Sequence, residues 1–137
     1  MDRFLVDTNV LVNIIEKSSL NRNVKHILED SSNKIYTCSE CVKEFINLIQ
    51  TGKVGGRKNR QKVDAFDFIE NELGYTIKYI SKEHLKTLAK LEIVDEHKDP
   101  CDRLIVAHAI TEKIPIISSD TKFPNYIKYG LELIPNR

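Results

Sequence analysis

Four carboxylates stand out by where they fall in the 137-residue sequence: Asp7, Glu44, Asp102 and Asp120. Two carboxylates about 4 Å apart repel by several kcal/mol at an effective dielectric near 20, so acids brought together hold either a proton or a cation. Oxygen donors with no histidine or cysteine at ligand spacing select Mg2+ or Mn2+ over zinc. Such ions keep several waters and bridge to phosphate oxygens, which makes phosphate chemistry the natural reaction. Each acid also has an ordinary reading. Asp7 before Thr8-Asn9 suits a helix cap, Asp99 before Pro100 likewise, and Asp102 in a first helical turn favours the helix dipole. Asp120 before Thr121 suits a turn, and Glu44 a solvated helix face. Their joint placement is what points to chemistry.

That placement depends on the elements around them. Phe4-Leu5-Val6 reads as a short buried strand, followed by Val10, Leu11, Ile14 and Ile15 at helical spacing. Residues 20–31 give a second helix through Leu20, Val24, Ile27 and Leu28. Ile35–Cys38 reads as a strand, and Ser39 as the cap of a helix with stripe Val42, Phe45, Ile46 and Ile49 that ends near Gly52. A helix over 60–73 is predicted through Val63, Phe66, Ile69 and Leu73, with Phe68 to one side and Gly74 as its stop. Tyr75–Ile80 alternates like a strand, and Ser81 caps a helix carrying Leu85, Leu88, Ala89 and Leu91. Asp99-Pro100 starts a helix through Leu104, Ile105, Ala107, Ala109 and Ile110. Pro115–Ser118 and Leu131–Ile134 are the last strands.

Strands alternating with helices predict an α/β fold, a three-layer α/β/α domain with a mostly parallel central sheet. In such sheets ligands bind outside the carboxyl ends of the strands. Asp7 ends the first strand and Asp120 follows the Pro115–Ser118 strand, so these two fall where the rule looks. Asp102 opens the helix before that strand, and Glu44 lies about a turn and a half into the helix after the second strand. All four are expected to meet at one sheet edge.

Composition narrows the class. A chain of 137 residues predicts one domain over 1–137, with a core that needs no staples. A net charge of +1 excludes a histone-like mode of nucleic-acid binding. No apolar run is long enough for a transmembrane helix, and Met-Asp-Arg-Phe-Leu-Val-Asp does not open like a signal peptide. Three cysteines, an odd count, predict a reducing cytoplasm without a disulfide framework. The balance of charge is uneven along the chain: residues 51–62 carry Lys53, Arg57, Lys58, Arg60 and Lys62 with no acid, whereas 92–102 carry five acids against Lys98. A basic loop near an acidic edge suits an RNA backbone, or is simply a solvated loop. Arg57, Lys58, Arg60 and Arg103 are the candidate RNA contacts, Arg103 being equally suited to an internal ion pair.

The motifs carry a family resemblance. Phe4-Leu5-Val6-Asp7-Thr8-Asn9-Val10-Leu11 resembles the opening motif of the PIN domain. His97-Lys98-Asp99-Pro100-Cys101-Asp102-Arg103 and the Ala107-His108-Ala109 that follows resemble a segment of VapC-like toxins. Ile116-Ile117-Ser118-Ser119-Asp120 is similar to their last acidic motif, and Val42-Lys43-Glu44-Phe45 to the internal glutamate. The resemblance implies a metal-dependent endoribonuclease, the toxin of a type II toxin–antitoxin pair, in which Asp7, Glu44, Asp102 and Asp120 form the acidic quartet with Asp99 as a candidate fifth. It also implies that Asn9 and Ser118 support the first acid, that the chain forms a homodimer, and that a cognate antitoxin covers the acidic groove. Cys101 stands where phenylalanine is usual, and His108 where glutamine is common. Neither departure removes a carboxylate.

The expected reaction is hydrolysis of an RNA phosphodiester by water activated on Mg2+ or Mn2+, with Asp7 and Asp120 as direct ligands. Asp102 and Glu44 would bind directly or through water. The alternative is a non-catalytic interaction module that keeps the PIN fold, although such a scaffold has no need of four mutually repelling acids. A Mg2+ phosphatase or receiver-like domain would want paired acids at the first strand, where this chain has one. Cys38-Ser39-Glu40-Cys41 sits where redox pairs occur, but without a second pair it reads as buried small residues. His26, His84, His97 and His108 lack ligand spacing, and His97 reads as a loop histidine near the site.

Overall fold

The computed structural model describes residues 2–54, 63–94 and 96–137. Arg57, Lys58 and Arg60, and the start of the helix expected over 60–73, lie outside the described residues. The strands β1 (Arg3–Val6), β2 (Lys34–Cys38), β3 (Thr76–Lys78), β4 (Ile116–Ser118) and β5 (Leu133–Pro135) form one sheet in the order β3-β2-β1-β4-β5. Every pairing is parallel, with Leu5 opposite both Tyr36 and Ile116, and Val6 opposite Ile117. The order reverses beside β1, because the chain leaves it to β2 on one side and returns to β4 on the other. A crevice therefore opens where β1 and β4 end.

Alternation along the strands builds two cores. Val6, Ile35, Ile77 and Ile117 pack on one face with α1 (Thr8–Ile15), α2 (Arg22–Glu29) and α3 (Ser39–Gln50). Leu5, Tyr36 and Ile116 face the other way, onto Ile105, Val106 and Ala109 of α5 (Pro100–Glu112). Phe123 and Tyr126, from a 3-10 segment at Phe123–Tyr129 that the pattern of apolar residues does not announce, complete this second core. Helix α4 (Lys82–Lys90) packs on α5. The result is the three-layer α/β/α arrangement, and its sheet is parallel throughout.

Two helical faces differ from the stripe reading. In α4 the buried residue is His84, while Leu85 is 50% exposed. Ser81 is the N-cap, and its backbone N–H donates to His84 Nδ1 at 2.8 Å, which draws the imidazole inward where a capping glutamate would ordinarily act. In the segment before β3, Phe68 and Ile69 are buried and Phe66 is 43% exposed. Residues Asp67–Glu72 form a π-helical turn, in which Leu73 N–H donates to Phe68 O, five residues back. The wider turn changes the angular spacing, so Phe68 reaches the Phe45 ring at a centroid distance of 5.8 Å. Gly74 follows at φ +72°, the left-handed stop expected of it.

Candidate active site

The crevice is built from strand ends. Thr37 Oγ1 donates to Val6 O at 3.0 Å, which fixes the last residue of β1. Asp7 follows as the N-cap of α1, its Oδ1 accepting from Thr8 N–H at 2.7 Å. Its other oxygen accepts from Ser118 Oγ at 2.6 Å and from Asn9 Nδ2 at 3.1 Å. Asn9 Oδ1 in turn accepts from Ser119 N–H at 3.2 Å, and Ser118 Oγ from Asp120 N–H at 3.0 Å. These bonds stitch the start of α1 to the end of β4, so Asp7 and Asp120 belong to one rigid unit. Asp120 Oδ1 also accepts from Lys122 N–H at 2.7 Å, which orders the turn after β4.

Asp102 reaches the crevice from the first turn of α5. Asp99 caps that helix, accepting from Cys101 N–H at 2.9 Å and from Asp102 N–H at 3.2 Å. Asp102 Oδ2 lies 3.3 Å from His97 Nε2, and His97 Nδ1 lies 2.6 Å from the Tyr126 hydroxyl. When the tyrosine hydroxyl donates, the ring proton sits on Nε2 and points at the carboxylate. His97, in the loop before α5, is thus buried and held at both ring nitrogens. Ligand atoms of His97, Asp102 and Asp120 all lie within 4.8 Å of one another. The only sequence signal for this role is the place of His97 two residues before the capping acid.

Glu44, the fourth expected acid, is half-buried on α3. An open cleft of about 360 Å³ borders it, lined by Lys43, Ile46, Asn47, Gln50 and Cys101. Asp102 and Asp120 are the two acids brought within 4.8 Å of each other, and the charges of Asp7, Glu44 and Asp102 act on one another. Burial, with the Asp102 and Asp120 charges adding to it, pushes the Asp7 carboxyl up to about 6. Burial and the charges of Asp7 and Asp102 push Glu44 up to about 7. Asp102 is also raised, by burial first and then by Asp99. A cation of high charge density removes this conflict, because it turns mutual repulsion into shared attraction. The oxygen-rich donor set fits Mg2+ or Mn2+, with His97 already engaged on both nitrogens.

Other candidates lie differently. Arg103, half-buried on α5, donates from Nη2 to the Leu91 carbonyl just past the end of α4. Cys38 and Cys41 are buried thiols with their sulfurs 3.2 Å apart, and Cys41 Sγ is 3.8 Å from Asp7 Oδ1. They pack under the first acid. Lys43 is exposed beside the cleft and pairs with Glu40 at 3.5 Å.

Comparison with known proteins agrees with this architecture. A comparison with curated protein sequences finds no significant match. Among solved structures, VapBC2 from Rickettsia felis bound to a promoter DNA fragment matches with a TM-score of 0.71 at 20% identity, covering 97% of this chain and 98% of that one. DNA-bound VapBC from Salmonella typhimurium matches at 0.72 and 14% identity, covering 98% of each chain. VapC20 from Mycobacterium tuberculosis, a sarcin-ricin loop cleaving toxin, matches at 0.66 and 13% identity, over 93% of this chain and 95% of that chain. These likenesses establish a shared fold. A family model described as the PIN domain matches residues 4–128, a span that holds all four acids, and the chain belongs to the PIN domain family.

Proposed function

We propose that the protein is a Mg2+- or Mn2+-dependent endoribonuclease and the toxin of a toxin–antitoxin pair. The observation that carries the reading is the approach of Asp102 to Asp120, with Ser118 joining Asp120 to Asp7, and the upward shift of Asp7, Glu44 and Asp102 by burial and neighbouring acids. The likeness to VapBC complexes and to a sarcin-ricin loop cleaving toxin supports the substrate class and the antitoxin partner. A homodimer is expected on the same footing.

Within this reading each residue has a task. Asp7 and Asp120 would hold the cation, with Ser118 and Asn9 keeping the Asp7 oxygens aimed. Asp102, oriented by His97 and Tyr126, and Glu44 would complete its hold, and Asp99 fixes the helix turn that presents Asp102. A bound divalent ion lowers the pKa of water and neutralises charge on the phosphoryl oxygens. The cleft beside Glu44 takes the RNA strand, with Lys43 on its rim.

Labelled RNA incubated with purified protein tests the reading. Cleavage is expected in Mg2+ or Mn2+ and not in chelator, with no release of phosphate from a phosphomonoester. Wild-type cleavage by Asp7→Asn, or cleavage that survives chelation, would overturn it. RNA binding without cleavage by the wild type would favour the non-catalytic module.

A further inference from the structure

A second cluster of metal-ligating side chains lies in the α4–α5 layer. His84 in the first turn of α4, His108 in the middle of α5 and Glu112 in its last turn each offer one ligand atom, all within 4.8 Å of one another. His108 is six residues beyond Asp102, which places the cluster at least about 9 Å along the helix axis from the acids.

His108 is fully buried, and neither of its ring nitrogens has a hydrogen-bond partner among the described residues. Buried polar atoms are normally satisfied, so an imidazole with two idle nitrogens inside a ligand cluster points to a missing partner. His84 shows where that partner fits. Because Ser81 N–H donates to Nδ1, the His84 ring proton sits on Nε2, 2.8 Å from Glu112 Oε2. The other Glu112 oxygen is held by Lys78 at 3.3 Å, and the hydrogen bonds from His84 first and then Lys78 hold the carboxyl below its usual range.

We propose that His84, His108 and Glu112 form a second metal site that takes Zn2+ and clamps α4 to α5. Two imidazoles and one carboxylate, with water in a fourth position, form a common zinc set, and imidazole donors disfavour Mg2+. The imidazoles stack with centroids 3.8 Å apart and planes 15° from parallel. A metal lies in the plane of each ring it binds, so loading turns one ring edge-on. The His84 proton then moves to Nδ1, where Ser81 Oγ at 3.1 Å accepts it in place of the bond that Ser81 N–H now makes to that nitrogen. No net proton is released from His84, and the metal replaces the proton between Nε2 and the Glu112 oxygen.

The test uses the full chain carrying Asp7→Asn and Asp120→Asn, which disarms the acid crevice and needs no assumption about activity. After stripping with chelator and dialysis against Zn2+, this protein is expected to retain one zinc per chain and to melt at a higher temperature than its metal-free form. Co2+ in place of zinc is expected to give ligand-field bands without the thiolate charge-transfer band that Cys38 and Cys41 would produce. Adding His108→Gln or His84→Gln is expected to weaken zinc binding by at least about tenfold, since even outer-shell partners of zinc ligands carry that much. Failure of the histidine-intact protein to bind zinc would overturn the proposal, whether or not a histidine variant folds. Equal zinc affinity in a folded His108→Gln protein, or a thiolate band with Co2+, would also overturn it.

Discussion

The crevice at the ends of β1 and β4 and the histidine cluster between α4 and α5 solve opposite problems. In the crevice, burial and neighbouring charge raise Asp7 and Glu44, so their ionised forms are the strained ones. In the cluster, hydrogen bonds from His84 and Lys78 hold the Glu112 carboxyl below its usual range, and burial holds His108 neutral, down at about 4. One region accumulates negative charge that asks for a hard cation. The other holds neutral nitrogen donors already balanced by an ion pair. Both are fixed by α5, whose first turn carries Asp102 and whose later turns carry His108 and Glu112.

The sharpest break of this comparison is Asp7→Asn. It keeps the side-chain shape and the cap on α1 but removes a charge from the cation site, so RNA cleavage in Mg2+ is expected to fall by about a hundredfold or more, as measured on labelled RNA. Cation affinity of the wild type is expected to weaken as pH falls through 7 and 6, because protons on Glu44 and Asp7 compete with the ion. Calorimetric Mg2+ titrations at several pH values check this.

Stability should show opposite slopes in the two regions. A carboxyl raised in the folded state binds more protons there than in the unfolded chain, so the metal-free protein loses stability as pH rises from about 4 to about 6 through Asp7. Asp7→Asn removes that loss and is expected to stabilise the metal-free protein at pH 7.5 by about 1–3 kcal/mol in denaturant titrations. His108 behaves in reverse. Its pKa falls on folding from 6.5 to about 4, so its contribution is complete above pH 6.5 and is lost as pH drops towards 4. Metal-free His108→Gln should flatten the wild-type stability curve in that window by about 1–3 kcal/mol.

Smaller effects sharpen the picture. Tyr126→Phe removes the hydroxyl that fixes His97, with an expected cost of about 0.5–1.5 kcal/mol in stability and a several-fold loss of cleavage as Asp102 loosens. Glu112→Gln removes the partner of His84 and Lys78 at a partly exposed position, so solvent screening limits the cost to about 0.5–1 kcal/mol. That cost is expected to shrink as pH falls below 4.5 and through the depressed folded value, where the wild-type glutamate is also neutral.

What the sequence determined is what neighbours along the chain control. Asp99-Pro100 caps α5, Ser81 caps α4, and Gly74 stops the segment before β3, because caps and stops depend on residues a few positions apart. The parallel sheet also followed from the order of apolar segments, and the crevice from the acids after β1 and β4. Tertiary structure alone decided the rest. The stripe reading put Leu85 inside, yet a second helix layer gave the buried position to His84, which faces His108 from 24 residues away. The π-turn brought Phe68 inward in place of Phe66, and the 3-10 segment supplied the Tyr126 hydroxyl that makes His97 a positioning residue. Spacing along one helix reports which residues share a face. Which faces are covered, and by what, is set by packing between distant segments, and that is where both clusters acquire their geometry.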